Sequence, residues 1–333
     1  MFKVTDRRFP KWDNLQPETE YKIDVDAIDV SLVMAPPLED LLEMAPKVLM
    51  TTWDPVARTE KNKDKLEQFS DEDKMKLLYR ACQQKFLPAF METINFVVCF
   101  DGISLQDVTH LIRSRSMSFF GDCSGDTEFS KRDILMPEAF KGKYEDRFKA
   151  LTYLQMQLYC DLMNDKDISH WDARLVRPVT LETFYHVRMN LGDAMRVCKQ
   201  RFCPQTQPGQ DLIMMQQLWL ALCKEYEFLS WLPITYAYKD EEWFFKFETK
   251  TNFSSRFYQP LPQNEAVLED RTPEDFLYDK TPLECKGRGE NSSYARRIKE
   301  YEDEIEVIRE SAKEKWPFLF DEQYNQDFIE NWV

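Results

Sequence analysis

Apolar residues along this chain recur at two spacings, and the places where the spacing changes predict its elements. Tyr21-Lys22-Ile23-Asp24-Val25-Asp26 alternates as an exposed strand does, and residues 28–34 form a β-branched run closed by Pro36-Pro37. Residues 38–45 read as a short helix, 48–53 as a strand and 60–73 as a charged loop. A helix opens at Ser70 or Asp71, with Met75, Leu77, Leu78 and Cys82 on its apolar side, and ends before Pro88. The run Ile94-Asn95-Phe96-Val97-Val98-Cys99-Phe100 predicts a buried strand, followed by a turn at Asp101-Gly102. Next comes a helix over 104–112, with Ser104 as cap and Asp107 completing a capping box. Three more helices are expected over 144–163, 183–203 and 208–229, the first with a broad apolar side. After residue 232 the sequence turns aromatic, acidic and proline-rich, until a charged helix over 292–315.

Periodicity alone therefore gives a mixed helix and strand chain. Its 333 residues, 43% of them hydrophobic, suffice for one large domain with an appendage. The division expected is an extension over 1–35, a core over 36–233 and an appendage over 234–333. A formal net charge of −15 argues against a duplex nucleic acid or an anionic membrane as partner, while a local basic pocket could still take a nucleotide. With no membrane-length apolar run and no signal-peptide core at the start, a cytoplasmic protein is expected. The eight cysteines lack metal or disulfide spacing, and Cys99, Cys160, Cys198 and Cys223 lie among apolar residues as reduced thiols would. No metal site is expected, since none of the three histidines is spaced as a ligand pair.

The chemistry concentrates in residues 109–137, THLIRSRSMSFFGDCSGDTEFSKRDILMP. Arg113 and Arg115 flank Ser114, so an extended backbone would put both guanidiniums on one side. The turn Gly121-Asp122-Cys123-Ser124-Gly125 allows close backbone approach and offers the Ser124 hydroxyl. Arg113-Ser114-Arg115, eight residues, then Ser124-Gly125 resembles the flavin-dependent thymidylate synthases, whose signature is Arg-His-Arg, seven or eight residues, then Ser-x-Arg-Tyr. A second block is similar too. Ala173-Arg174 and Pro178 precede Asn190, with Arg201 eleven residues later and Gln207 six beyond that.

That resemblance implies an α+β fold, a twisted, mainly antiparallel sheet with packed helices, assembled as a homotetramer with sites between subunits. It implies methylation of dUMP to dTMP with FAD as hydride carrier and with NADPH and methylenetetrahydrofolate as co-substrates. Carried over by position, Arg113 and Arg201 are the catalytic candidates. Arg113, Ser114, Arg115, Asp122 and Asn190 would meet the flavin. His110, Arg113, Asp122, Ser124, Gly125, Arg174 and Arg201 would meet the nucleotide, His110 standing where the family often has Gln.

Three departures matter. Ser114 replaces the signature His, the stretch 85–90 lacks the family's loop His, and Asp126 replaces the arginine that grips the nucleotide phosphate. A carboxylate ~4 Å from a phosphate charge repels it by about 4 kcal/mol at an effective dielectric near 20. Either Lys131 or Arg132 takes over the clamp, or the substrate is not ordinary dUMP. Two alternatives stay open: another C5 modification of a pyrimidine nucleotide, such as hydroxymethylation, and a non-catalytic binding or assembly relative.

Overall fold

Burial alternates along β3 (Asn95–Ser104), with Phe96, Val98 and Phe100 inward, because successive side chains of a strand point to opposite faces. In this computed structural model, which describes residues 14–53, 63–82, 88–114, 116–122, 127–201, 210–232, 236–239, 242–245 and 293–320, β3 is a central strand. It lies in an antiparallel four-stranded sheet of order β2–β3–β6–β4, with β2 at Asp29–Met34, β4 at Ser118–Gly121 and β6 at Glu182–Asn190. β1 (Tyr21–Ile23) pairs in parallel with β5 (Ile134–Met136), and β7 (Tyr236–Lys239) with β8 (Glu242–Phe245) as a hairpin. The fold is α+β, as expected.

The helices of seven residues or more are α1 (Leu38–Trp53), α2 (Asp71–Cys82), α3 (Leu105–Leu111), α4 (Glu145–Asn164), α5 (Leu191–Arg201), α6 (Gln210–Glu225) and α7 (Ser293–Lys315). α6 is the hub. Leu212, Ile213, Met214, Met215, Leu218, Trp219, Leu220 and Leu222 are all buried, so it faces protein on nearly every side. β2, α5 and α7 surround it. α7, from the stretch expected as an appendage, buries Ile298, Tyr301 and Ile305 in the same apolar cluster. Trp231 Nε1 donates to the Arg309 carbonyl and Arg309 Nε to the Ser230 carbonyl, each at 2.9 Å. A smaller cluster gathers Phe129, Ile134, Met156, Tyr159, Cys160, Ala173 and Leu181 under α4.

Four expectations are corrected. The helix from Leu38 runs through Pro46 to Trp53, so residues 48–53 are not a strand. Leu41, Ala45 and Leu49 bury on one helical stripe, and that packing outweighs the hydrogen bond lost at the proline. Residues 182–190 form β6 rather than the start of a helix, because Thr183, Val187 and Met189 bury with period two between β3 and β4. The alternating patch at 21–26 is strand only to Ile23, with a helical turn at Asp24–Ala27. Asp101-Gly102 is no terminal turn but a bulge inside β3, where register shifts between Phe100 and Ile103. Gly102 has φ +64°, and a Cβ there would lie 1.8 Å from the Ala27 carbonyl oxygen. Among the described residues, no helix is long and apolar enough to cross a membrane, and Cys82, Cys99, Cys160, Cys198 and Cys223 are free thiols.

Candidate functional site

The bulge in β3 aims the chain into α3, and a reciprocal cap fixes where that helix starts. The Ser104 hydroxyl accepts from the Asp107 N–H at 3.3 Å, while Asp107 Oδ2 accepts from the Ser104 N–H at 2.7 Å and its hydroxyl at 2.6 Å. Burial pushes the Asp107 carboxyl up to about 7, against the Ser104 bonds, with Asp211 and Asp24 adding to the rise. α3 then delivers His110 in its last turn and, past the Ile112 cap, an exposed Arg113 and a buried Ser114.

Opposite stands the start of α6. Asp211 in its first turn accepts from His110 Nδ1 at 2.8 and 3.1 Å through its two oxygens. α5 supplies Arg196 and Arg201. Arg196 is held by Asp193 at 3.1 Å and donates to Ser116 Oγ at 3.2 Å, and Ser116 also bonds Asp193. Together these elements enclose a cleft of about 170 Å³. Its polar lining is His110, Arg113, Ser114, Arg196, Arg201 and Asp211, over an apolar base of Leu111, Val197, Met214 and Met215. Three guanidiniums line it, Arg196 answered by Asp193, and forked donors of this kind can hold anionic or carbonyl oxygens.

A second arginine group surrounds the end of β4. Gly121 pairs with Tyr185, and a Cβ on it would lie 2.3 Å from the Tyr185 ring, so any larger residue would require that ring to move. The next residue, Asp122, accepts from Arg132 Nη2 at 3.1 and 3.2 Å and from the Thr183 hydroxyl at 3.0 Å. Arg132 also lies 5.0 Å over the Phe184 ring. Arg177 stacks 3.9 Å over Phe129 and donates Nε to the Arg174 carbonyl at 3.0 Å. Burial holds the Arg177 guanidinium below the usual arginine range and neighbouring Arg174 pushes the same way, while Tyr159, Asp122 and Tyr185 oppose the shift. Arg174 itself lies 4.5 Å over Trp171.

Of the residues singled out in the sequence, the structure brings His110, Arg113, Ser114 and Arg201 to one cleft and keeps Asp122 and Arg174 outside its lining. Asn190 ends β6 and caps α5, its Oδ1 accepting from the Asp193 N–H at 2.8 Å. Arg115, Ser124, Gly125 and Asp126 lie outside the described residues. Sequence reasoning missed Arg177, Arg196 and Asp211. Arg177 was detectable as a charge directly before Pro178 in the second block. Arg196 could have been found five residues before Arg201 in the same helix, but Asp211 gave no local signal because its partner comes from another helix.

Residues 32–225 match the family described as thymidylate synthase complementing protein, Thy1. No curated protein matches the chain. Among solved structures, the chain is similar to the UMP/dUMP methylase PolB from Streptomyces cacaoi bound with 5-Br UMP, at 19% identity over 62% of this chain and 92% of that one, with a TM-score of 0.46. It is also similar to thymidylate synthase X from Helicobacter pylori with FAD and dUMP, at 16% identity over 61% of this chain and 96% of that one, again with a TM-score of 0.46.

Proposed function

Because the chain belongs to the thymidylate synthase complementing protein family through residues 32–225, we propose that it is a flavin-dependent enzyme transferring a one-carbon unit to C5 of the uracil ring of dUMP. The observation that carries this reading is the meeting of the two motif blocks. His110, Arg113 and Ser114 from the first line one cleft with Arg201 from the second. The donor set suits a flavin and a nucleotide, since Arg113, Arg196 and Arg201 offer the forked, permanently charged donors that phosphate and ring carbonyl oxygens require. FAD, when bound, supplies the hydride, with NADPH as its reductant and methylenetetrahydrofolate as carbon donor.

On this reading Arg113 and Arg201 hold the pyrimidine and polarise its carbonyl within a partly dry cleft. Ser114, Arg115 and Asn190 serve the flavin. Asp122, Arg174, Ser124 and Gly125 belong to the phosphate end, where Arg132 and Arg177 replace the cation lost at Asp126. Two separate half-sites favour a homo-oligomer, a tetramer by family resemblance, in which one subunit's cleft meets another's arginine group. The exposed Leu151, Leu154 and Leu158 of α4, and Leu175 next to Arg174 in the chain, suit such a contact. The altered phosphate end also favours a second reading, in which a different pyrimidine nucleotide is modified at C5 on the same fold.

Purification tests both. A yellow protein whose flavin spectrum shifts on titration with dUMP supports the first, a response to UMP or dCMP instead supports the second, and a colourless protein that takes up no flavin leaves a non-catalytic relative. Arg174→Ala and Arg201→Ala are expected to abolish nucleotide binding with the circular dichroism unchanged. Full affinity in both variants removes the site assignment.

A further inference from the structure

Phe96, Val98, Phe100, Val187 and Met189 bury one face of the four-stranded sheet in the larger apolar cluster, so the alternate residues form its outer face. Across that face, register sets Ser31, Cys99, His186 and Phe120 in one row over β2, β3, β6 and β4. Cys99 and His186 are half-buried, and Phe120 is 78% exposed. Opposite charges flank this row. Two residues along β3 from Cys99 stands Asp101, directly opposite Asp29 of β2, and like charges so placed repel. Two residues the other way stands Val97, whose partner on β6 is Arg188. Burial pushes the Cys99 thiol up, and Asp101 and Asp29 push the same way, as carboxylates on its own face must. Asp29, Asp101 and Arg188 are exposed and, among the described residues, have no ion pair, Asp101 accepting from the Gly102 N–H at 2.8 Å.

We infer that this outer face is a contact between two copies of the chain, stacked sheet on sheet about a two-fold axis that runs along the row Ser31, Cys99, His186, Phe120. That axis lies midway between the acidic and basic ends, which are about 13 Å apart along the strands. Rotation about it carries Arg188 of each copy over the Asp29 and Asp101 end of the other, so both repelling carboxylate pairs gain a guanidinium. Residues on the axis meet their own counterparts. Cys99 faces Cys99, and the exposed Phe120 rings are covered. A second copy suits the face better than an unrelated partner, because both complementary charges stand on this one surface. The contact needs no nucleotide or flavin, and it uses elements other than α4, whose leucines would then form a separate interface.

The test is sedimentation equilibrium of the full chain, together with a short bis-maleimide that joins facing thiols. Wild-type protein is expected to give a covalent dimer on a denaturing gel and Cys99→Ser is expected to give none, which sets Cys99 apart from the other cysteines. Arg188→Glu puts acid against acid twice in the symmetric contact and is expected to raise its dissociation constant about 10- to 100-fold. Adding Asp101→Lys to that variant is expected to restore most of the affinity, which a merely misfolded protein could not do. Circular dichroism checks that each variant folds. A monomeric wild-type chain, a cross-link that persists in Cys99→Ser, or a dissociation constant indifferent to Arg188→Glu overturns the sheet-to-sheet contact. Each of those results leaves the flavin and nucleotide reading to its own titrations.

Discussion

The cleft beside α6 rests on the larger apolar cluster, whereas Arg174 and Arg177 stand over the smaller one beneath α4. In the cleft, Arg196 is ion-paired with Asp193, and His110 is hydrogen-bonded to Asp211. Around β4 the balance differs. Asp122 pairs with Arg132, while Arg177 is held by the face of Phe129 and a backbone carbonyl, neither of which neutralises it. The surroundings differ in the same direction, because α6 is covered on almost every side and α4 turns Leu151, Leu154 and Leu158 outward at 60%, 60% and 48% exposure. The first group is thus held among charged partners from the same chain, while the second sets an arginine on an aromatic face close to a helix with exposed leucines.

Four measurements would break or sharpen that contrast. The largest effect is expected in the cores: Trp219→Ala should cost about 4 kcal/mol in urea unfolding and Met156→Ala about 2 to 3, since the second site has a thinner surround in which to collapse. Equal losses would mean that the two clusters are equally well packed. Next, Arg177→Ala should weaken dUMP binding roughly 10- to 100-fold and leave deoxyuridine binding unchanged, as loss of a charge-assisted bond to phosphate requires. A parallel loss for the nucleoside would move Arg177 away from the phosphate.

The third measurement concerns Asp107. Its carboxyl is raised to about 7 in the fold from an ordinary 3.8. Between those values the folded chain keeps a proton that the unfolded chain has released, so the group's contribution is full below about pH 4 and is lost as pH rises through about 7. Asp107→Asn should flatten that decline, read from unfolding midpoints at about pH 5 and about pH 8; Ser104→Ala, which removes the reciprocal cap, should cost about 1 kcal/mol. The smallest effect on stability is expected from Leu154→Ser, within about 0.5 kcal/mol for an exposed position. The same change should lower the particle mass in light scattering, and an unaltered mass would remove α4 from the subunit contact.

What the sequence could disclose follows from how local each cause is. The helix from Ser104 was readable because its cap lies within four residues, and α2 because Ser70 caps Asp73 in the same manner. β6 was misread because Thr183, Tyr185, Val187 and Met189 become a strand only when β3 and β4 flank them. The passage of α1 through Pro46 likewise depends on partners elsewhere in the chain. In the site, motif spacing exposed Arg113 and Arg201 since both blocks keep their internal distances. The link from His110 to Asp211 was hidden, because it arises only where the start of α6 docks against the end of α3.

Gly102 gives this arrangement an unexpected fragility. A Cβ on it would run into the carbonyl of Ala27, and the bulge it permits lies just before the chain leaves the sheet for α3. Even a methyl group there would have to push two backbone segments apart, and His110 and Arg113 would be carried off with them. A comprehensive substitution survey should therefore find a silent gap at this position, far from any ligand, as deep as those at the residues that do the binding.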